Sequence, residues 1–180
     1  MNRFSLAVLV LPTMASLALA QSAARSNPIS NSTKAIYTIV KANVIKAAEK
    51  MPEENYAFRP TPEVRSFGQI VGHVADAQYI FCSMAKGKPD NGPGIEKNKT
   101  TKADLVAALK QAFAYCDETY DAMTDASAAD PIKFLGRDAP RITALNFNTA
   151  HMDEHYGNVV TYMRIKGLVP PSSESEAGSR

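Results

Sequence analysis

The chain carries almost no surplus of either charge: 20 lysines and arginines stand against 18 aspartates and glutamates. No basic run or patterned basic face accompanies that balance, which excludes the electrostatic footprint of a nucleic-acid-binding protein. Strand-like alternation with hairpin punctuation is equally scarce, so the sequence offers no sheet to build a fold on. No uninterrupted apolar run reaches the roughly 20 residues that span a bilayer. The N-terminal apolar stretch is broken by Pro12. With only two cysteines and three histidines, thiol or imidazole chemistry has few carriers.

What is present begins with a stretch that reads as an export signal, with a membrane anchor as the less favoured alternative. Arg3 supplies the positive start, Phe4 to Leu11 and Met14 to Leu19 are apolar, and Ala18-Leu19-Ala20 before Gln21 is the small-x-small pattern cut by signal peptidase. Residues 1–20 are therefore expected to be removed, leaving 160 of the 180 residues, enough for one domain with a real core. After cleavage nothing remains to hold the protein in a membrane. Residues 21–30 are expected to be a linker, 31–171 the folded domain, and 172–180 a polar, disordered tail. Export lets a disulfide persist. Cys82 and Cys116 can pair, although two buried free thiols fit the spacing equally well.

Four stretches show helical periodicity. The first is expected over Ser32 to Lys50, with Ile36, Ile39, Val40, Val44, Ala47 and Met51 inward, and Pro52 and Arg59-Pro60-Thr61-Pro62 stop it. The second opens on Ser66 with Gln69 three residues on, a capping-box spacing, and runs through Ile70, Val74 and Phe81 towards Gly87. The Gly/Pro/Asn-rich connection from Gly87 to Lys99 reads as a surface loop. Thr101 with Asp104 opens the third helix, through Leu105, Phe113, Cys116 and Met123. Residues 125–140 read as irregular, with a short extended piece at Ile132 to Leu135. The fourth helix is expected over Arg141 to Lys166, before Gly167 and Pro170-Pro171. Four amphipathic helices bury their stripes only against each other, so the fold class is all-α, a four-helix bundle. The connection between the first two helices is long enough to cross over.

His151 and His155 stand four residues apart, one turn apart on the same helix face. That spacing lets two imidazole nitrogens share a metal at about 2.0 to 2.1 Å, and bundles build such sites from facing helices. Chance puts some pair of three histidines at that separation in about one sequence in twenty-five, which favours a shared role for the pair. A third ligand must come from another helix, and His73 is the only histidine left; its spacing alone also fits a lone, satisfied core histidine. Met152, Asp153 and Glu154 fill the interval, so the H-E-x-x-H motif of zinc peptidases is absent. Cys82 lies nine residues after His73, on the opposite face of the same helix, which disfavours a mixed Cys/His site. Asp76, Asn148, Glu154 and Asn158 lie within a turn of the histidines and are candidates to orient the imidazoles, though each also fits plain helix surface. Tyr156, Tyr162 and Arg164 can orient an anionic substrate or simply pack at the bundle edge.

Phe58-Arg59-Pro60, Arg65-Ser66-Phe67-Gly68, Gly72-His73-Val74-Ala75-Asp76-Ala77-Gln78, His151-Met152-Asp153-Glu154-His155-Tyr156-Gly157-Asn158 and the Tyr162 to Pro171 segment resemble the DinB-like (YfiT-like) metal-binding four-helix bundles. That family is related to mycothiol-dependent maleylpyruvate isomerases and bacillithiol transferases. The resemblance implies a long crossover between helices one and two. It also implies a metal triad of His73, His151 and His155, a divalent ion such as zinc or nickel, and often a homodimer. The export signal departs from the thiol transferases, whose low-molecular-weight thiols are cytosolic. Three imidazoles leave positions open for water or substrate, which makes a metal-dependent transferase or hydrolase of small molecules conceivable. No unambiguous general acid or base accompanies them, so catalytic residues are unassigned, and a non-catalytic metal-binding or structural helical module is the alternative. A metal-free protein with three packing histidines is the third reading.

Overall fold

A computed structural model describes residues 27–89 and 92–174. The expected signal at 1–20 lies outside the described residues. So do residues 21–26 of the expected linker and 175–180 of the expected tail.

Four long helices carry the fold: α1 (Pro28–Lys50), α2 (Phe67–Ala85), α4 (Lys102–Ala122) and α6 (Ile142–Ile165). Two one-turn helices, α3 (Ile95–Asn98) and α5 (Asp125–Ala128), and a hairpin of β1 (Pro131–Phe134) and β2 (Arg137–Pro140) fill the connections. Both α1 and α2 pack on α4 and α6. The two consecutive helices thus sit on a diagonal, and the chain between them crosses the end of the bundle, as the length of that connection predicted. Tyr56 pins the crossover, its hydroxyl donating to the Ala48 carbonyl at 2.6 Å and its own carbonyl accepting from Gly68 at 2.8 Å. Among the described residues no helix is long and apolar enough to cross a membrane.

The expected caps form. Ser66 Oγ accepts from the Gln69 amide at 3.2 Å while Gln69 Oε1 accepts from the Ser66 amide at 2.9 Å, and Thr101 accepts from the Asp104 amide at 3.1 Å. Each satisfies amides the helix itself leaves free. Cys82 and Cys116 form a disulfide between α2 and α4, Cα to Cα 5.5 Å. In the chain-entropy model, closing a loop of 34 residues contributes about 3 to 4 kcal/mol.

Elsewhere the structure departs from the sequence reading. The first helix begins at Pro28, inside the expected linker, because Asp125 reaches across the bundle to its open end. The Asp125 carboxylate accepts from the amides of Ile29 at 3.2 Å and Ser30 at 2.8 Å. Such a cap comes from a residue 95 positions away and leaves no local trace. The inward face of α1 is Tyr37, Val40, Val44, Ala47 and Ala48, whereas Ile36 and Ile39 are 52% and 64% exposed. At 100° per residue those two isoleucines fall off the face that Tyr37 completes. Tyr37 stacks on Tyr120 at 3.7 Å between ring centroids, and its hydroxyl donates to Asp117 at 2.9 Å.

The segment 125–140 is ordered rather than irregular. Leu135 and Gly136, at φ +48° and +80°, make a two-residue turn, pairing Phe134 with Arg137 and Ile132 with Ala139; two consecutive positive φ values suit the twist of a hairpin. Ile132 and Phe134 are buried. The tail, expected to be free from Ser172, is held through residue 174. Residues Pro171–Ser173 form a 3₁₀ turn, Ser172 and the Tyr156 hydroxyl bond at 3.0 Å, and Lys50 pairs with Glu174 at 2.7 Å.

Candidate metal centre

His73 projects from the middle of α2, and His151 and His155 from successive turns of α6. Because α2 and α6 are neighbours, the three rings meet. His73 Nε2 lies 3.1 Å from His151 Nε2, and His155 Nε2 lies 3.1 Å from the same atom. The three potential ligand atoms are all within 4.8 Å of one another.

These separations can be tested against a cation. Two nitrogens at about 2.05 Å from one ion stand about 3.3 Å apart in tetrahedral and about 2.9 Å apart in cis octahedral geometry, which brackets the 3.1 Å contacts. The protonation chemistry agrees. His73 Nδ1 lies 3.0 Å from Glu96 Oε2; the carboxylate can only accept, so Nδ1 carries the proton and Nε2 presents its lone pair. His151 Nε2 faces two nitrogens at once and has at most one hydrogen to give. The Nδ1 atoms of His151 and His155 are buried without a hydrogen-bond partner among the described residues. Burial first, then the neighbouring imidazoles, push both His151 and His155 down to about 4. That keeps the His151 and His155 rings neutral, the form that ligates a metal.

The surroundings divide in two. Phe81, edge-on to His151 at 5.4 Å, and Phe147, at 6.5 Å, form an apolar wall continued by Phe134 of the hairpin. On the other flank stands Glu96, whose Oε1 accepts from Arg65 Nε at 2.8 Å. Burial pushes the Glu96 carboxyl up, but the Arg65 guanidinium and His73 outweigh it and hold the group below the usual range. Glu96 was missed in the sequence because it lies in a connection whose composition reads as plain surface loop. Instead Gly94 turns the chain at φ +76°, and α3 docks on α2 with Ile95 buried. Gly72 permits this approach: a Cβ there would stand 2.7 Å from Glu96 Cα.

The four residues expected to orient the imidazoles are placed differently. Asp76 acts one step removed: its two carboxylate oxygens accept from the amides of Ile95 at 2.8 Å and Glu96 at 3.0 Å, fixing the turn that carries Glu96. Asn148 is fully buried and donates to Gln78 Oε1 at 2.9 Å and to the Tyr120 hydroxyl at 3.3 Å. It joins α2, α4 and α6 in the core. Glu154 and Asn158 are exposed on α6. Of the three edge residues, Tyr162 donates to the Arg65 carbonyl at 2.9 Å, while Tyr156 and Arg164 hold Ser172 and Ser173.

Comparison with known proteins agrees with this architecture. The uncharacterized protein YjoA of Bacillus subtilis (strain 168) is 26% identical over 131 residues, spanning 67% of this chain and 79% of that protein. Its crystal structure, described as DinB-like, superposes with a TM-score of 0.59 at 21% identity, covering 72% of this chain and 87% of that one. A DinB-like protein from Bacillus cereus superposes at 0.68 with 18% identity, covering 77% and 93%. A conserved protein from Enterococcus faecalis superposes at 0.61 with 15% identity, covering 76% and 95%. The sequence model of the DinB superfamily matches residues 36–159, well over half of the chain. With His73, His151 and His155 brought to one point between α2 and α6, the chain belongs to the DinB superfamily.

Proposed function

We propose that the protein is an exported DinB-family metalloprotein that binds one divalent ion through His73, His151 and His155 and acts on a small molecule as a transferase or hydrolase. The observation that carries the reading is the approach of three imidazole Nε2 atoms at 3.1 Å contacts from two separate helices. An all-imidazole donor set suits zinc or nickel among the biological divalent ions. When bound, such an ion would supply Lewis-acid polarisation of a substrate oxygen or sulfur.

The chain's own residues do the rest. Glu96 holds His73 in one tautomer, Arg65 holds Glu96, and Tyr162 holds the backbone of Arg65. The aromatic wall of Phe81, Phe134 and Phe147 strips water from one side of the rings and offers an apolar surface to a substrate. Export is supported by the N-terminal pattern of the sequence and by the Cys82–Cys116 disulfide, which persists in oxidising compartments.

Metal analysis of protein purified from its native compartment tests the binding reading: one equivalent of ion is expected in the native protein and none in His73→Ala, His151→Ala or His155→Ala. A full equivalent of ion retained in all three variants, as in the native protein, ends it. Hydrolysis of activated esters and thioesters, assayed with and without chelator, tests catalysis. A second reading, a non-catalytic metal-binding module, is favoured by one observation: Glu96, the carboxylate bonded to the triad, is already engaged by two partners. In that case chelation lowers the melting temperature but changes no turnover.

A further inference from the structure

We propose that the cleft where α2 begins is a binding site for a small organic anion, a phosphate monoester or a dicarboxylate. The cleft has a volume of about 700 Å³, within the range of small-molecule sites. Its walls come from three separate stretches of chain: Arg59 on the crossover, Arg65 at the start of α2, and Lys97 and Lys99 at the end of α3. Four cations that the sequence scatters over 41 positions (59 to 99) thus face one space.

Their charge is largely uncompensated. Several surface cations elsewhere are paired with carboxylates, as in Lys34 with Asp121, Lys41 with Asp117, Lys110 with Glu49 and Lys133 with Asp138. Arg59, Lys97 and Lys99 have no carboxylate partner among the described residues. The one carboxylate lining the cleft is Glu96, and Arg65 and His73 already hold it. The cleft also borders the start of the 19-residue helix α2 at Ser66, Gly68 and Gln69, whose first amides are already bonded to Phe58, Tyr56 and Ser66, so the cations rather than the helix end would draw the anion. Tyr56 and Leu105, both buried, form an apolar floor, which suits an organic body behind the anionic group. The near-balance of charge over the whole chain argues against a polyanionic macromolecule and for a ligand the size of the cleft.

The cleft and the histidine triad share Glu96. An anion drawn to Arg65 competes with Glu96 Oε1 for the guanidinium, so filling the cleft perturbs the bond that Glu96 Oε2 makes with His73. The anion site itself does not depend on a bound metal, and its test is arranged accordingly.

Inorganic phosphate and succinate are titrated into the metal-stripped protein by calorimetry, at ionic strength held constant with chloride. Saturable binding of at least one is expected, and whichever binds names the anionic group. Arg59→Ala or Lys99→Ala weakens it about tenfold, the loss of one charge-assisted contact, and Arg59→Lys retains most of it. Lys133→Ala, outside the cleft, changes nothing. Because these side chains lie at the surface, circular dichroism of each variant is expected to match the parent. Absence of saturable binding for both anions overturns the proposal, as does equal binding by a protein carrying R59A, K97A and K99A together. Repeating the titration with zinc added separates this result from the metal reading, which stands or falls on metal content alone.

Discussion

Gly72 and Glu96 lie backbone to backbone, so close that a single methyl at position 72 would stand 2.7 Å from Glu96 Cα. That closeness sets the carboxylate against His73 Nδ1 at 3.0 Å. Gly72→Ala is therefore expected to push α3 outward and lengthen the bond, while Glu96→Gln keeps the geometry and removes the charge. Both should weaken zinc affinity about 10- to 100-fold, the usual effect of losing a partner that orients a ligand. Competition against a chromophoric chelator measures it; unchanged affinity in both variants would show that Glu96 does not tune His73.

Acid should act on the metal-free protein through His151 and His155. Both are held at about 4 in the fold, against about 6.5 in an unfolded chain. Between those values the unfolded chain binds more protons, so stability is complete above about pH 6.5 and falls as the pH drops towards 4. The loss over that window is on the order of a few kcal/mol. Urea midpoints at pH 7.5, 6.5 and 5.5 in chelator should decline, and a His151→Gln/His155→Gln protein should lose most of that decline. A parent curve that is flat over this range contradicts the assignment.

The disulfide makes a separate contribution. Cys82 and Cys116 are fully buried between α2 and α4, so replacing both with alanine should destabilise the protein by about 3 to 4 kcal/mol, the loop-closure figure. Denaturant unfolding of the variant beside the oxidised parent reads this directly. A loss under 1 kcal/mol would mean that the unfolded chain is already compact there.

Leu135 is the one described non-glycine residue with positive φ, at +48°, and it is 58% exposed. A leucine in that region costs about 1 to 2 kcal/mol, and asparagine before glycine is the favoured pair in such a turn. Leu135→Asn is expected to stabilise the protein by about 1 kcal/mol, read from the shift in thermal midpoint. A lower midpoint would point to apolar contacts of Leu135 that outweigh its backbone cost.

Local chemistry explains which features could be read from the sequence. The caps at Ser66 and Thr101, the diagonal crossover and the spacing of His151 and His155 are all encoded within a few residues or by one long connection, and all are present. What escaped depends on contacts between distant segments. Asp125 caps α1 across 95 positions, Tyr37 takes the inner face because Tyr120 meets it, and Asn148 turns to Gln78 rather than to the histidines. Glu96 belongs to the same class. Nothing in Gly94-Ile95-Glu96 announces a partner for His73 until Gly72, the residue just before it, and Asp76, about one turn after it, bring the segment down.

The opposite faces that His73 and Cys82 occupy on α2 mean that this helix can be fastened on both flanks by unlike chemistry. Sulfur stitches it to α4; an ion seated on the imidazoles would rivet it to α6. A reductant and a chelator would then loosen different seams of the same bundle, and only the two agents together would leave its central helix to packing alone.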